Sequence, residues 1–327
     1  MKKGVVIGVG TAAVAVAVAA IVSHVVTKKL LHVALNRDAL PPRVVKHQGK
    51  LMGSEDNIAL LLKVNAYGKR LEERNLDEVE IESYDGIHLV GHLWECESPK
   101  RTVLLMHGWR SSWSNDFGVM ADFLHENGCN ILFAEQRAQN KSGGEYMGFG
   151  LLERYDCREW IKWLNDRYGA DTPLYLGGVS MGATTVLMAS GLVLPENVRG
   201  IIADCGFTSP YAIWKHVVQK NLHLPYELHA RAADDLCKRR IQHTPREYCT
   251  TMALKNTNIP ILFVHGTDDH FVPITMTYEN YKACASPKRL LVVPEAEHAA
   301  SYLIDTERYE KAILEFWNDF DERKRKA

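Results

Sequence analysis

Apolar and polar positions change rhythm several times along this chain of 327 residues. Over residues 79–83 and 87–94 they alternate, which is the period-2 signature of half-buried strands, and Asp85-Gly86 stands between the two runs. That pattern predicts an antiparallel hairpin with a tight turn. Six short apolar runs follow, at 103–106, 131–134, 174–177, 201–204, 261–264 and 290–293. Each is short enough for a strand buried on both faces. Stretches with helical periodicity separate most of them, at 117–125, 155–164, 183–192 and 274–283. Strand and helix in alternation predict an α/β fold, a mainly parallel sheet with helices on both faces.

Two segments break the alternation. Between Asp204 and Pro260 there is no convincing strand, only helical stretches at 213–222 and 226–239 with the exposed-looking aromatics Tyr211 and Trp214. An insertion of this length between sheet strands is expected to be a lid, at about 208–257, with Tyr211 and Trp214 facing a pocket. The last helix, expected over 306–323, can dock through Ile313, Leu314, Phe316 and Trp317. It ends in Arg323-Lys324-Arg325-Lys326, cations that suit a helix C-terminus.

The amino terminus has a third character. Residues 4–26 carry no charged side chain apart from His24 when protonated, and as a helix they would span roughly 34 Å against a hydrocarbon core of about 30 Å. A transmembrane anchor over residues 1–29 is the expectation, with membrane lipid as its partner. The rival is a signal peptide cleaved after the small residues Ala15, Ala17 or Ala19. Cleavage there would leave an apolar new terminus, because the run continues to Lys28 and Lys29. Basic residues flank the run on both sides, so the face of the cell membrane that carries the main domain stays open. A juxtamembrane helical region is expected over 30–76, broken at Pro41-Pro42 and helical from 54 to 71, with the main domain over 77–327.

Composition narrows the chemistry. With 46% hydrophobic and 24% charged residues the chain is ordinary globular material, and a formal charge of −1 gives nucleic acid no purchase. Fourteen histidines invite a metal, yet none falls in a zinc-binding pattern. His88 and His92 are four apart but lie in a strand pattern, so they share no helix face and no metal is expected. The seven cysteines (Cys96, Cys129, Cys157, Cys205, Cys237, Cys249, Cys284) are odd in number and scattered, which favours small buried hydrophobes in a reducing compartment over a disulfide framework.

The chemistry centres on Gly178-Val179-Ser180-Met181-Gly182. A Gly-x-Ser-x-Gly arises by chance about 0.1 times in a chain of this length, given glycine near 7%. The setting therefore matters more than the motif. An apolar strand runs into it and an apolar helix leaves it, so Ser180 sits on a sharp turn that exposes its hydroxyl. A serine hydroxyl needs a base. His298 follows the last strand, on the sheet's C-terminal edge. The base needs a carboxylate to hold its tautomer, and Asp268 and Asp269 both follow the 261–264 run. Two amides are expected to form an oxyanion hole, that of Met181 after the nucleophile and that of Trp109 in the turn after 103–106. The Trp109 indole is also a candidate pocket wall.

From about 79 to 320 the chain resembles the α/β-hydrolase superfamily, and within it bacterial single-pass hydrolases related to the serine aminopeptidase and Bem46-like groups. The matching pieces are His107-Gly108-Trp109, Gln136-Arg137-Ala138, Gly150-x-x-Glu153-Arg154-Tyr155-Asp156, the serine motif, His265-Gly266-x-x-Asp269-x-x-Val272-Pro273 and Ala296-Glu297-His298-Ala299. The resemblance assigns the carboxylate to Asp269 and gives Arg137 a bracing role on the active-site face. Asn140 stands where the family has glycine, and Glu135 where it has aspartate. It implies a cofactor-free serine hydrolase that cleaves carboxylic esters of small-molecule or lipid acyl substrates through an acyl-enzyme. The same constellation serves amidases, peptidases, thioesterases and membrane-associated lysophospholipases or acyltransferases. A membrane-tethered binding protein without turnover is the alternative from another class.

Overall fold

The structure is a computed structural model and describes residues 22–39 and 55–321. Gly86 takes φ +80°, where glycine has no steric cost, and the chain reverses there. Strands β1 (Asp77–Glu82) and β2 (His88–Trp94) pair antiparallel, with Glu82 opposite His88. β1 is the sheet's edge, and its exposed Glu78, Glu80 and Glu82 discourage pairing with another chain.

All six apolar runs are strands: β3 (Arg101–Met106), β4 (Cys129–Ala134), β5 (Leu174–Val179), β6 (Val198–Asp204), β7 (Ile261–Gly266) and β8 (Lys288–Val293). The order across the sheet is β1-β2-β4-β3-β5-β6-β7-β8, parallel throughout from β4 to β8. Every residue of β3, β4, β5 and β7 is buried, as apolar runs covered on both faces must be. One face packs on helices Trp113–Glu126 and Thr306–Phe320 through Phe117, Phe316 and Trp317. The other packs on Glu153–Tyr168 and Met181–Ala189 through Trp160, Ile161 and Leu187. This is the α/β-hydrolase arrangement, with the strands' C-terminal ends gathered on one rim.

Between β6 and β7 the chain stays helical, but the elements differ from the expected pair. The first helix is Pro210–His216, capped by Ser209, whose Oγ accepts the Ala212 N–H at 3.1 Å, and it runs on into a π-turn at Val217–Asn221. The second splits into a 3₁₀ turn, Tyr226–Leu228, and a helix, Ala230–Ile241. Pro225 precedes that turn in an extended conformation, so a helix cannot run through it.

At the amino terminus, residues 4–21 of the expected membrane run lie outside the described residues. Among the described residues no helix is long and apolar enough to cross a membrane. Residues 22–35 are one unbroken helix, so the expected boundary between residues 29 and 30 coincides with no structural break. Val22 and Val25 are exposed, whereas Thr27, Leu31 and Leu35, four apart, are buried against the domain. The helix at Glu55–Glu72 packs on Trp113–Glu126.

Candidate active site

Ser180 joins β5 to helix Met181–Ala189 with φ +55° and ψ −113°, a conformation that side chains rarely adopt. The turn is possible because its neighbours carry no side chain. A Cβ on Gly182 would lie 1.7 Å from the Met106 carbonyl oxygen, and one on Gly178 would lie 2.3 Å from the Gly182 carbonyl carbon. The Ser180 N–H donates to the Asp204 carbonyl at 2.9 Å, which ties the turn to β6.

The other two groups come from loops after β7 and β8. His298 Nε2 lies 2.9 Å from Ser180 Oγ, and His298 Nδ1 lies 2.6 Å from Asp269 Oδ2. Of the two adjacent aspartates, Asp268 is exposed and accepts only the Thr267 hydroxyl at 2.7 Å, while Asp269 is buried at the imidazole. The Asp269 carboxylate is held from every side. Its Oδ1 accepts the N–H groups of Phe271 and Val272 at 2.9 and 2.8 Å, and its Oδ2 also receives His265 Nε2 at 3.1 Å.

These contacts set the charges. Burial alone would raise the Asp269 carboxyl, but His298 and His265 hold it well below the usual carboxylate range. Burial alone would lower the His298 imidazole, but the Asp269 carboxylate raises it well above 6.5. Cys205 also lies beside His298, yet burial pushes its thiol up to about 11, so near neutral pH it is uncharged and the carboxylate decides the direction. Cys205, Asp269 and His298 offer donor atoms within 4.8 Å of one another, the spacing of a metal site. Both imidazole nitrogens and both carboxylate oxygens are already engaged, however, and the thiol is protonated. The arrangement suits relay of a proton from Ser180.

The turn after β3 lies against the serine. A Cβ on Gly108 would stand 3.4 Å from Ser180 Cβ. The Gly108 N–H donates to Asp116 Oδ2 at 2.6 Å and the Arg110 N–H to Gln139 Oε1 at 2.5 Å. These bonds tie off the amides on either side of Trp109. Met181 opens its helix, so its N–H has no acceptor within the helix. The two amides expected for an oxyanion hole therefore both belong to segments touching Ser180. His107 is wholly buried beside them; its Nδ1–H donates to the Gly108 carbonyl at 2.8 Å and its Nε2 accepts the Gln136 N–H at 3.1 Å, which makes it a brace.

The departures at 135 and 140 have a physical basis. Asn140 takes φ +48°, a left-handed conformation that asparagine tolerates better than most residues, so it can stand in for glycine. Buried Glu135 accepts His92 Nε2 at 2.8 Å and the Lys141 N–H at 2.5 Å. Arg137 binds Asp156 and Asp85, with its Nε 2.6 Å from Asp156 Oδ2, and braces the rim without touching the triad.

Of the expected pocket residues, Trp109 and Trp214 line one apolar cavity beside the triad. Tyr211 does not. It packs edge-on against Tyr226 and under the Arg246 guanidinium, behind the cavity wall, because its ring is claimed by those two partners. Sequence reasoning missed Phe271, whose ring meets His298 edge-on at 5.1 Å between centroids and also lines the cavity. It missed as well that the helix at 22–35 packs on the domain and lines the cavity, although the spacing of Thr27, Leu31 and Leu35 was a signal.

Comparison with known proteins agrees with this fold. Residues 101–236 match the family described as alpha/beta hydrolase fold. The uncharacterized protein YqkD of Bacillus subtilis is 27% identical over 241 residues, covering 72% of this chain and 76% of that protein. The Pyrococcus furiosus esterase Pf2001 superposes with a TM-score of 0.62 at 24% identity, covering 75% of this chain and 91% of the esterase. The esterase EaEST from Exiguobacterium antarcticum superposes with a TM-score of 0.55 at 18% identity, covering 74% of this chain and all of the esterase (100%).

Proposed function

We propose that this chain, whose residues 101–236 match the alpha/beta hydrolase fold family, is a serine hydrolase cleaving carboxylic esters through a covalent acyl-enzyme. The observation that carries the reading is the continuous chain Ser180 Oγ, His298 and Asp269, at 2.9 and 2.6 Å, in reach of two candidate oxyanion donors. Esterase activity in the Pyrococcus and Exiguobacterium proteins that share the fold supports it.

In this mechanism Ser180 Oγ attacks the ester carbonyl while His298 Nε2 takes its proton. Asp269 keeps the proton of the neutral imidazole on Nδ1 and stabilises the imidazolium. The amides of Met181 and Trp109 receive the developing oxyanion. The imidazolium then protonates the leaving alcohol, and water, activated by the same imidazole, releases the acid. No cofactor takes part. We also read residues 4–26 as an uncleaved membrane tether, a reading supported by the uncharged run in the sequence alone.

The test is covalent labelling by a fluorophosphonate. Wild type should be labelled at Ser180, and Ser180→Ala should lose both label and ester turnover, on the order of 10⁶-fold by analogy with other serine hydrolases. Labelling of the alanine variant at another serine would overturn the assignment.

A further inference from the structure

The cavity beside the triad is enclosed by parts of the chain nearly two hundred residues apart. Its volume is about 140 Å³. Leu30, Leu31, Val33 and Ala34 of the N-terminal helix form one wall, and Ile213, Trp214, Val217 and Leu222 of the insertion form the facing one. Its floor includes Trp109 and Phe271, the two rings that also flank the oxyanion turn and His298. The lining is mainly aliphatic and aromatic carbon, and its polar side-chain atoms belong to Thr27, Asn221, His229, Tyr226 and the two tryptophans.

The N-terminal wall is fixed in place. Trp109 Nε1–H donates to the Ala34 carbonyl at 2.9 Å, and the Arg110 guanidinium donates to the carbonyls of Val33 and Asn36 at 2.8 and 2.6 Å. At the other end His229 Nδ1 meets Thr27 Oγ1 at 2.8 Å, joining the helix to the insertion. Those bonds attach the helix both to the turn bearing the candidate oxyanion amide and to the opposite wall. Two buried donors without a partner among the described residues, Trp214 Nε1 and Tyr226 Oη, belong to side chains of the same lining.

We propose that this cavity is the acyl subsite, that the site takes esters of a single extended apolar acyl chain, and that the N-terminal helix sets which chain lengths fit. The inference rests on the serine-hydrolase reading. An acyl chain on Ser180 would pass Trp109 and Phe271 to enter this cavity, and each methylene buried there would add to transition-state binding.

The experiment uses the full-length chain in a bile-salt detergent, whose rigid ring system does not imitate an acyl chain, with p-nitrophenyl esters from acetyl to palmitoyl. In wild type, kcat/KM should rise from acetyl to a medium chain. Ala34→Phe keeps the backbone carbonyl that Trp109 uses but fills the wall. It should lower the decanoyl-to-acetyl ratio of kcat/KM roughly tenfold, the loss expected when about two methylenes stay unburied. Leu30→Ala enlarges the wall and should move the optimum to a longer ester. Val193→Ala, at an exposed position away from the cavity, should leave the ratio within about twofold of wild type.

Ratios unchanged in both wall variants, or a uniform fall across all chain lengths, would overturn the acyl assignment. If Ala34→Phe fails to fold, as its thermal melt would report, the shift or constancy of the optimum in Leu30→Ala decides. Failure of the underlying reading looks different, because wild type would then show no ester turnover, or turnover that survives Ser180→Ala.

Discussion

The rim of the sheet and the cap above it are built on opposite principles. At the rim, Ser180, Asp269 and His298 follow β5, β7 and β8, and each stands within a few residues of its strand's C-terminal end. The backbone does the work there, through the glycine-flanked turn and the two amides on Asp269. In the cap, Leu31 and Leu35 join Ile213, Leu236 and Met276 in one apolar cluster, from segments with no common strand. Local geometry thus fixes the candidate catalytic groups, while long-range packing shapes the space beside them. Changes at the rim should cost reaction rate, and changes in the cap should cost selectivity and stability.

The largest test of that division is at Asp269. Asp269→Asn should lower kcat by about 10⁴-fold, as loss of a triad acid does elsewhere, while Asp268→Asn should stay within a few fold. Equal losses would mean that proximity to the rim matters more than contact with the imidazole. In the cap, Leu35→Ala removes a side chain with no exposed surface and should destabilise the protein by about 2–5 kcal/mol. A chemical-denaturation midpoint unchanged from wild type would show that the helix at 22–35 is an appendage rather than part of the folded body.

The smallest effect is the one with pH. His298 is raised above 6.5, so the acid limb of kcat/KM should have an apparent pKa above that value, where the imidazole becomes neutral and can act as base. Stability runs the other way. A raised imidazole contributes stability that is complete below about 6.5 and is lost as pH rises through its folded pKa. A depressed carboxyl contributes stability that is present above about 3.9 and is lost as pH falls through its folded pKa. The Asp269–His298 pair therefore stabilises most between about pH 4 and 6.5, where the enzyme should be least active. The melting difference between wild type and Asp269→Asn should be larger at pH 5.5 than at pH 9, and a difference that grows with pH would contradict the charge assignment.

Strands and serine turn were legible because their signals are local. Runs such as 103–106 and 261–264 are apolar at every position, as burial on both faces requires, and the glycines at 178 and 182 are adjacent in sequence to the turn they permit. Asp269 could be separated from Asp268 only through a family pattern, since adjacent carboxylates look alike until the loop turns one inward. Tyr211 and Trp214 carried the same aromatic signal, yet only Trp214 lines the cavity, because Arg246 and Tyr226 draw Tyr211 behind the wall.

By itself, the order of apolar runs, glycines and polar groups determined the sheet, the position of the candidate nucleophile and the loops that carry its partners, because period, turn chemistry and strand ends act over a few residues. Tertiary structure alone decided that the helix at 22–35 closes over the insertion, that Phe271 flanks the imidazole, and that a cavity opens between them. Those features depend on contacts such as Thr27 with His229, about two hundred residues apart, and no short window of sequence records which distant surface an apolar stripe will meet.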